Sequence, residues 1–166
     1  MEGKFNEFLY QNKILPLENN LWKKITVDHS SAGNLREFKN KILKEDLVGY
    51  ISGIYVYTSL RGEVYYVGQG KLKSRIIKKY VQSTMDYSID VPINKLPSSR
   101  YFFFRNKREK MNVYVMNVDG RHEQLAIEAM LTTVLKPSYV EFLEQYNTSK
   151  KDGRLMDFLK GILVNE

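Results

Sequence analysis

The sequence predicts a small α+β domain in which a short, largely antiparallel three-stranded sheet is flanked by helices. Two adjacent segments, 50–58 and 63–68, are rich in β-branched and aromatic residues, and the turn 59–62 separates them. A third segment of this kind covers 111–118. Apolar residues at helical spacing occur on both sides of these segments, which adds helices at the N- and C-terminal ends.

The residues before the first strand predict two helices. Residues 4–12 place apolar side chains at helical spacing, and the segment 14–17, which contains a proline, ends that pattern. Residues 18–33 are mostly polar and predict no regular element. Asn34 is a residue type that caps helices, and 35–44 carries a single apolar stripe, so a second helix is predicted there.

The residues after the predicted hairpin alternate between helix, loop and strand. The pattern predicts helices over 71–81, 122–135 and 153–164, and a loop over 84–99. Residues 101–105 read YFFFR, which predicts a short strand or a packed aromatic segment.

The predicted elements form one compact domain with additions at both ends. They comprise an N-terminal helical arm (1–49), a core (50–140) and a C-terminal helical extension (141–166).

Composition excludes several kinds of site. The chain has no cysteine, which rules out disulfides, thiolate metal sites and cysteine nucleophiles. It has two histidines, His29 and His122, too few for a multi-histidine metal site. Because no apolar run approaches 18 residues and residues 1–4 do not begin a signal peptide, we expect no membrane span and a cytoplasmic location.

The positive charge is concentrated in one segment. Residues 69–110 contain eleven Lys and Arg against three Asp and Glu, a net charge of +8, whereas the whole chain carries +7. The other 124 residues are therefore close to neutral. Concentrated positive charge attracts polyanions such as nucleic acids, and the alternative is an ordinary solvated lysine surface.

Two tripeptides bracket the predicted hairpin. Gly53–Tyr55 reads GIY on the first strand, and Tyr66–Gly68 reads YVG on the second. Arg75 follows seven positions after the second tripeptide, and Glu128 lies nine positions before a proline in a later helix. This combination resembles the GIY-YIG nuclease family over about residues 50–140.

Strand periodicity places the side chains of the first tripeptide on opposite faces. Tyr55 and Tyr57 share one face of the strand, whereas Ile54 and Val56 share the other. A glycine at position 53 allows another chain segment to approach the backbone closely.

Glu128 borders the apolar face of its predicted helix, because leucines follow at i+3 and i+7. A carboxylate in such a place is costly unless it is paired or binds a metal ion. The alternatives are a metal site and a structural salt bridge, for example to Arg75. Glu123 is a weaker rival as a metal ligand, because it lacks the spacing to Pro137.

The resemblance implies a role for each matching residue. Tyr55 would be the general base toward water, a role that requires adjacent cations to lower its pKa. Tyr66 would orient the phosphate or the water, and Arg75 would stabilise the phosphate charge. Glu128 would hold a single Mg²⁺, with Mn²⁺ as a substitute. Lys71 resembles a lysine that assists at the phosphate in some members.

Other basic residues are predicted to contact DNA phosphates, mainly through the basic aromatic segment that ends near residue 110. They are Lys73, Lys78, Lys79, Arg100, Arg105, Lys107 and Arg108.

Two positions depart from the family pattern. Val140 stands where members commonly carry asparagine, and Lys79 stands where many carry histidine or tyrosine. The first departure puts the metal-site geometry in question, and the second puts a second base in question.

The sequence therefore predicts a metal-dependent endonuclease that hydrolyses phosphodiester bonds in duplex DNA. Its arms suggest sequence-specific, restriction-type cleavage of both strands, which calls for a homodimer or homotetramer. A catalytically inactive, nuclease-like DNA-binding module is the alternative. An RNA-binding protein is a third possibility.

Overall fold

The computed structural model describes residues 1–30, 33–84 and 89–163. Besides its regular helices and strands, the described part contains a π-helical turn at Ile42–Asp46 and a 3₁₀ turn at Ile93–Lys95. The elements are α1 (Glu2–Gln11), β1 (Lys23–Asp28), α2 (Leu35–Lys41), β2 (Ser52–Ser59), β3 (Val64–Lys71), α3 (Leu72–Thr84), α4 (Ser99–Asn106), β4 (Lys110–Asn117), α5 (Arg121–Leu135), α6 (Ser138–Lys151) and α7 (Leu155–Leu163).

The strands form an antiparallel sheet in the order β1-β4-β2-β3. The α+β class, the antiparallel sheet and the flanking helices are confirmed, but the predicted number of three strands is wrong. The fourth strand, β1, lies in the segment predicted to be a helical arm, and its Ile25 and Val27 are buried against β4. Only these two apolar residues alternate with exposed polar ones, which is too short a pattern to distinguish an edge strand from a loop.

Hydrophobic clusters cover both faces of the sheet. One face carries Tyr55 and Tyr57 and packs against α3, α4 and α6, and α7 in turn packs on α4 and α6. The other face carries Ile54 and Val56 and packs against α1 and α5. The predicted division of β2 side chains between two faces is thus confirmed. Because β3 lies at the sheet edge, helices from both faces can meet beside it.

Two helices differ from the sequence-based expectation. The segment 101–105 belongs to α4, not to a strand, and every one of its residues is buried. A helix enclosed on all sides shows no helical period, so its aromatic residues favoured strand instead. α6 was not predicted as a separate element. The last residue of the predicted helix 153–164, and residues 85–88 of the predicted loop 84–99, lie outside the described residues.

Helix lengths bear on the membrane prediction as well. Across residues 1–30, 33–84 and 89–163, no helix combines the length and the apolar character that crossing a membrane requires.

Candidate active site

A cavity of about 190 Å³ opens beside the edge strand β3. It gathers residues from β2, β3, α3, α4 and α5, which are distant in sequence. The side chains that line it are Tyr55, Tyr66, Gln69, Arg75, Lys78, Lys79, Gln82, Ser98, Arg100 and Glu128. The four residues on which the resemblance rests therefore lie around one cavity, namely Tyr55, Tyr66, Arg75 and Glu128. Three of the predicted DNA contacts, Lys78, Lys79 and Arg100, line the same cavity.

The glycines of the two tripeptides make room for this arrangement. A side chain at Gly53 would collide with the backbone of β4 at Met116, so close strand approach requires glycine there. A side chain at Gly68 would collide with the rings of Tyr55 and Tyr66. The second glycine thus lets the two tyrosine rings stack, with their centroids 5.9 Å apart.

Tyr66 is held from two sides by cations. Arg100 donates from Nε to the Tyr66 hydroxyl at 3.0 Å. The Nζ of Lys79 lies 4.7 Å from the Tyr66 ring centroid, over its face, which is a cation–π geometry. The ring of Tyr139 on α6 also packs against Tyr66, with the two ring centroids 5.0 Å apart. These contacts position the Tyr66 hydroxyl at the cavity wall.

Tyr55 is almost fully buried, with 2% of its surface exposed. Burial raises the pKa of its hydroxyl, and the neighbouring Tyr66 and Tyr57 act in the same direction. Arg75 acts in the opposite direction but is outweighed. In the protein as it stands, Tyr55 is therefore a neutral hydroxyl, whereas the general-base role implied by the resemblance needs its pKa to be lowered.

Glu128 is half-buried, and burial raises the pKa of its carboxyl while Arg100 and Arg75 oppose that rise. Among residues 1–30, 33–84 and 89–163, no lysine or arginine nitrogen lies within 4.0 Å of this carboxylate. The alternative of a direct salt bridge to Arg75 is therefore not observed. Glu123, the rival ligand, is exposed and does not line this cavity.

One carboxylate is a sparse metal site. The described part of the chain holds no group of three or more Asp, Glu or His side chains that could together bind an ion. An unpaired carboxylate oxygen is nevertheless a ligand type that Mg²⁺ prefers, and Mg²⁺ commonly keeps several waters and takes further oxygens from a substrate phosphate. Glu128 fits a cation held in that way.

A second cleft continues from the cavity. The two share Gln69, Arg75 and Lys78, and the second adds Lys71 and Arg121. Lys71, predicted to assist at the reacting phosphate, lines this second cleft and is not among the residues around Tyr55 and Glu128. Its side chain is exposed.

The remaining predicted DNA contacts lie elsewhere. Arg105 is buried, with 8% exposed, and donates to the Ser83 carbonyl at 3.5 Å, so it does not present the surface guanidinium that a phosphate contact needs. Lys107 lies over the Tyr65 ring, 4.5 Å from its centroid, at the hairpin-turn end of the sheet. Arg108 follows Lys107 in the connection between α4 and β4. Lys73 lies on α3 but lines neither cleft.

Sequence reasoning did not single out Gln69, Gln82 or Ser98 as site residues. They line the cavity because α3, α4 and β3 pack around it, and uncharged polar residues give no sequence signal of that packing. Val140, which replaces the family asparagine, is exposed on α6 in a separate groove and does not line the cavity.

Comparisons with protein families, with curated proteins and with solved structures found no match to this chain.

Proposed function

We propose that this protein is a metal-dependent endonuclease that hydrolyses phosphodiester bonds in duplex DNA. The observation that carries the proposal is the cavity, which collects Arg75, Lys78, Lys79 and Arg100 around two tyrosines and a single carboxylate. Within the described residues, none of these four cations forms an ion pair with an acidic side chain within 4.0 Å. Such an excess of basic over acidic side chains in a polar cavity suits an anionic group of the size of a phosphodiester.

Each residue supplies a part of the hydrolysis. The exposed guanidinium of Arg75 pairs with the phosphate, and Arg100 assists while it orients the Tyr66 hydroxyl. Glu128 would hold a divalent cation, which, when bound, supplies Lewis acidity toward the phosphate and water. Tyr55, neutral through burial, orients the attacking water by a hydrogen bond. The water oxygen bonds to phosphorus as the bond to the leaving oxygen breaks, one proton of the water passes to solvent, and the leaving oxygen takes up one proton from solvent.

The resemblance to the GIY-YIG family supports the reaction class. Restriction-type, sequence-specific cleavage of both strands by a homodimer or homotetramer is the finer form of this proposal. It rests on the symmetry of duplex DNA and on the additions to the core, and not on a contact within this chain.

The test is cleavage of a supercoiled plasmid with Mg²⁺, with Mn²⁺ and with a chelator. We expect the wild type to cut only when a metal ion is present and Glu128→Gln to lose at least about a hundredfold in rate, because the carboxylate is the proposed metal ligand. Glu123→Gln is the matched control, since it removes an exposed carboxylate from the same helix. Equal rates for the two variants would contradict the role of Glu128. Sequencing the fragment ends then separates specific from random cleavage.

The second candidate function is a DNA-binding module that does not cleave. Two observations favour it, namely the raised pKa of Tyr55 and the single carboxylate in the cavity. A wild-type protein that binds duplex DNA but leaves plasmid intact in both Mg²⁺ and Mn²⁺ would establish this function in place of the endonuclease.

A further inference from the structure

Lys79 is a buried lysine that has no carboxylate partner within the described residues. Its side chain is 4% exposed, on the face of α3 that packs toward the sheet and α4. Its amine lies over two aromatic rings, 4.7 Å from the centroid of Tyr66 and 5.2 Å from that of Phe104. Within the described residues, no carboxylate oxygen lies within 4.0 Å of it. A buried lysine without a carboxylate is costly, because burial disfavours the ammonium.

The charges around Lys79 are mostly of the same sign. Arg75 and Lys78 lie on its own helix, and Arg100 approaches from α4. The titratable and charged groups around the amine are Tyr55 on β2, Tyr66 on β3, Arg75 and Lys78 on α3, Arg100 on α4, Glu128 on α5 and Tyr139 behind Tyr66 on α6. Burial, and then Arg100, Arg75 and Lys78, lower the pKa of the Lys79 amine to about 7.

We propose that Lys79 contacts the phosphodiester and that its amine takes up one proton from solvent as the phosphate enters the cavity. An anion there neutralises the three neighbouring cations and offers the amine the partner that it lacks, so binding favours the ammonium. The amine gains a proton, solvent loses one, and no bond in the substrate changes. This inference rests on the proposed function, because it assumes that the cavity receives a DNA phosphate.

Proton uptake on binding makes the affinity for DNA depend on pH, and this dependence can be measured. If binding is accompanied by uptake of one proton, the affinity falls up to tenfold for each unit of pH above the pKa of the unliganded amine. Below that pH, Lys79 is already charged in the unliganded protein, so its contribution to the pH dependence disappears. The affinity for duplex DNA should therefore be flat near pH 6 and fall between pH 7 and 9.

The experiment measures binding of a rhodamine-labelled duplex by fluorescence anisotropy from pH 6 to 9, with a chelator present and the ionic strength held constant. Lys79→Arg, which stays charged, is expected to remove the slope and keep the affinity that wild type has at pH 6. Lys79→Met, similar in length and without charge, is expected to bind more weakly, also without a slope. Lys150→Arg is the control, since it conserves charge at an exposed position on α6 outside both clefts. It is expected to keep the wild-type slope.

A slope that persists in both Lys79→Arg and Lys79→Met would overturn proton uptake at this residue while leaving the endonuclease proposal intact. A wild-type protein that binds no duplex DNA even at pH 6 would overturn the proposed function and this inference together. Calorimetry at pH 8 in two buffers with different ionisation enthalpies gives a direct count. Wild type should take up close to one proton per site and Lys79→Arg close to none, and equal counts would refute the inference.

Discussion

His29 makes the fold sensitive to mild acid. The residue directly follows β1, is fully buried, and its Nδ1 lies 2.5 Å from the Ser83 Oγ on α3. The rings of Tyr57, Tyr80 and Phe104 surround it. Burial lowers the pKa of its imidazole from 6.5 to about 4, and Asp28 opposes that change only weakly.

The pH window and the magnitude follow from these two values. Below pH 6.5 the unfolded chain takes up a proton at this histidine that the folded chain does not, so the free energy of unfolding falls as the pH falls. The loss ends near pH 4, where the folded imidazole also protonates. One pKa unit corresponds to about 1.4 kcal/mol, so the full loss is roughly 3 kcal/mol, of which about 2 kcal/mol is lost by pH 5.

Urea denaturation followed by circular dichroism at pH 8, 6, 5 and 4.5 measures this loss. His29→Phe keeps an aromatic ring in the same enclosure and cannot titrate. The difference in unfolding free energy between wild type and variant should therefore shift in favour of the variant as the pH falls. A difference that stays constant from pH 8 to 4.5 would refute the reasoning. Because the chain has two histidines, NMR can also follow the ring resonance of His29 directly. A change of that resonance centred near pH 6.5 in the folded protein would likewise refute the reasoning.

Three further predictions concern single contacts. Gly68→Ala should cost about 1–3 kcal/mol of stability, because the added methyl group collides with the Tyr55 ring. Gly3→Ala on helix α1 is the control, because a methyl group there meets no atom within 4 Å. This variant should be neutral or stabilising in the same urea assay. Arg105→Gln should lower stability by about 1–3 kcal/mol, since it removes a buried hydrogen bond. The DNA affinity of the folded variant should stay within about twofold of that of wild type. A tenfold loss of affinity would show that Arg105 contacts a phosphate. Asn34→Ala should cost about 1 kcal/mol, because the Asn34 side chain accepts from the first-turn amides of α2, and an unchanged thermal midpoint would contradict that cap.

Local sequence patterns predicted much of the fold because most of its elements are either amphipathic or alternating. The helix over 35–44 was signalled by Asn34, and that side chain does cap α2. The patterns failed where burial is uniform or very slight. All five residues 101–105 are buried, so no period reveals their helix, whereas β1 buries only Ile25 and Val27.

The candidate site was predictable to a similar degree. The resemblance carried by the two tripeptides, the helix arginine and the helix glutamate singled out Tyr55, Tyr66, Arg75 and Glu128, which do line one cavity. Helical spacing places Lys79 on the same stripe as Leu72 and Ile76, but whether a lysine there is buried or reaches solvent depends on how α3 packs against α4 and the sheet. The basic segment also misled at Arg105, since a run of cations does not reveal which of its members face inward.

The two tripeptides and the charges around them support different conclusions. Gly53 and Gly68 are required by packing alone, because β4 and the Tyr55 ring occupy the space that their side chains would fill. A protein that had lost catalysis would still need both glycines, so the tripeptides argue for the architecture and not for the reaction. Lys79 differs from the glycines, because it is buried close to Arg75, Lys78 and Arg100, and these like charges disfavour its ammonium. An anion in the cavity would offset that cost, so the charge in the cavity, more than the tripeptides, supports a phosphodiester as the ligand.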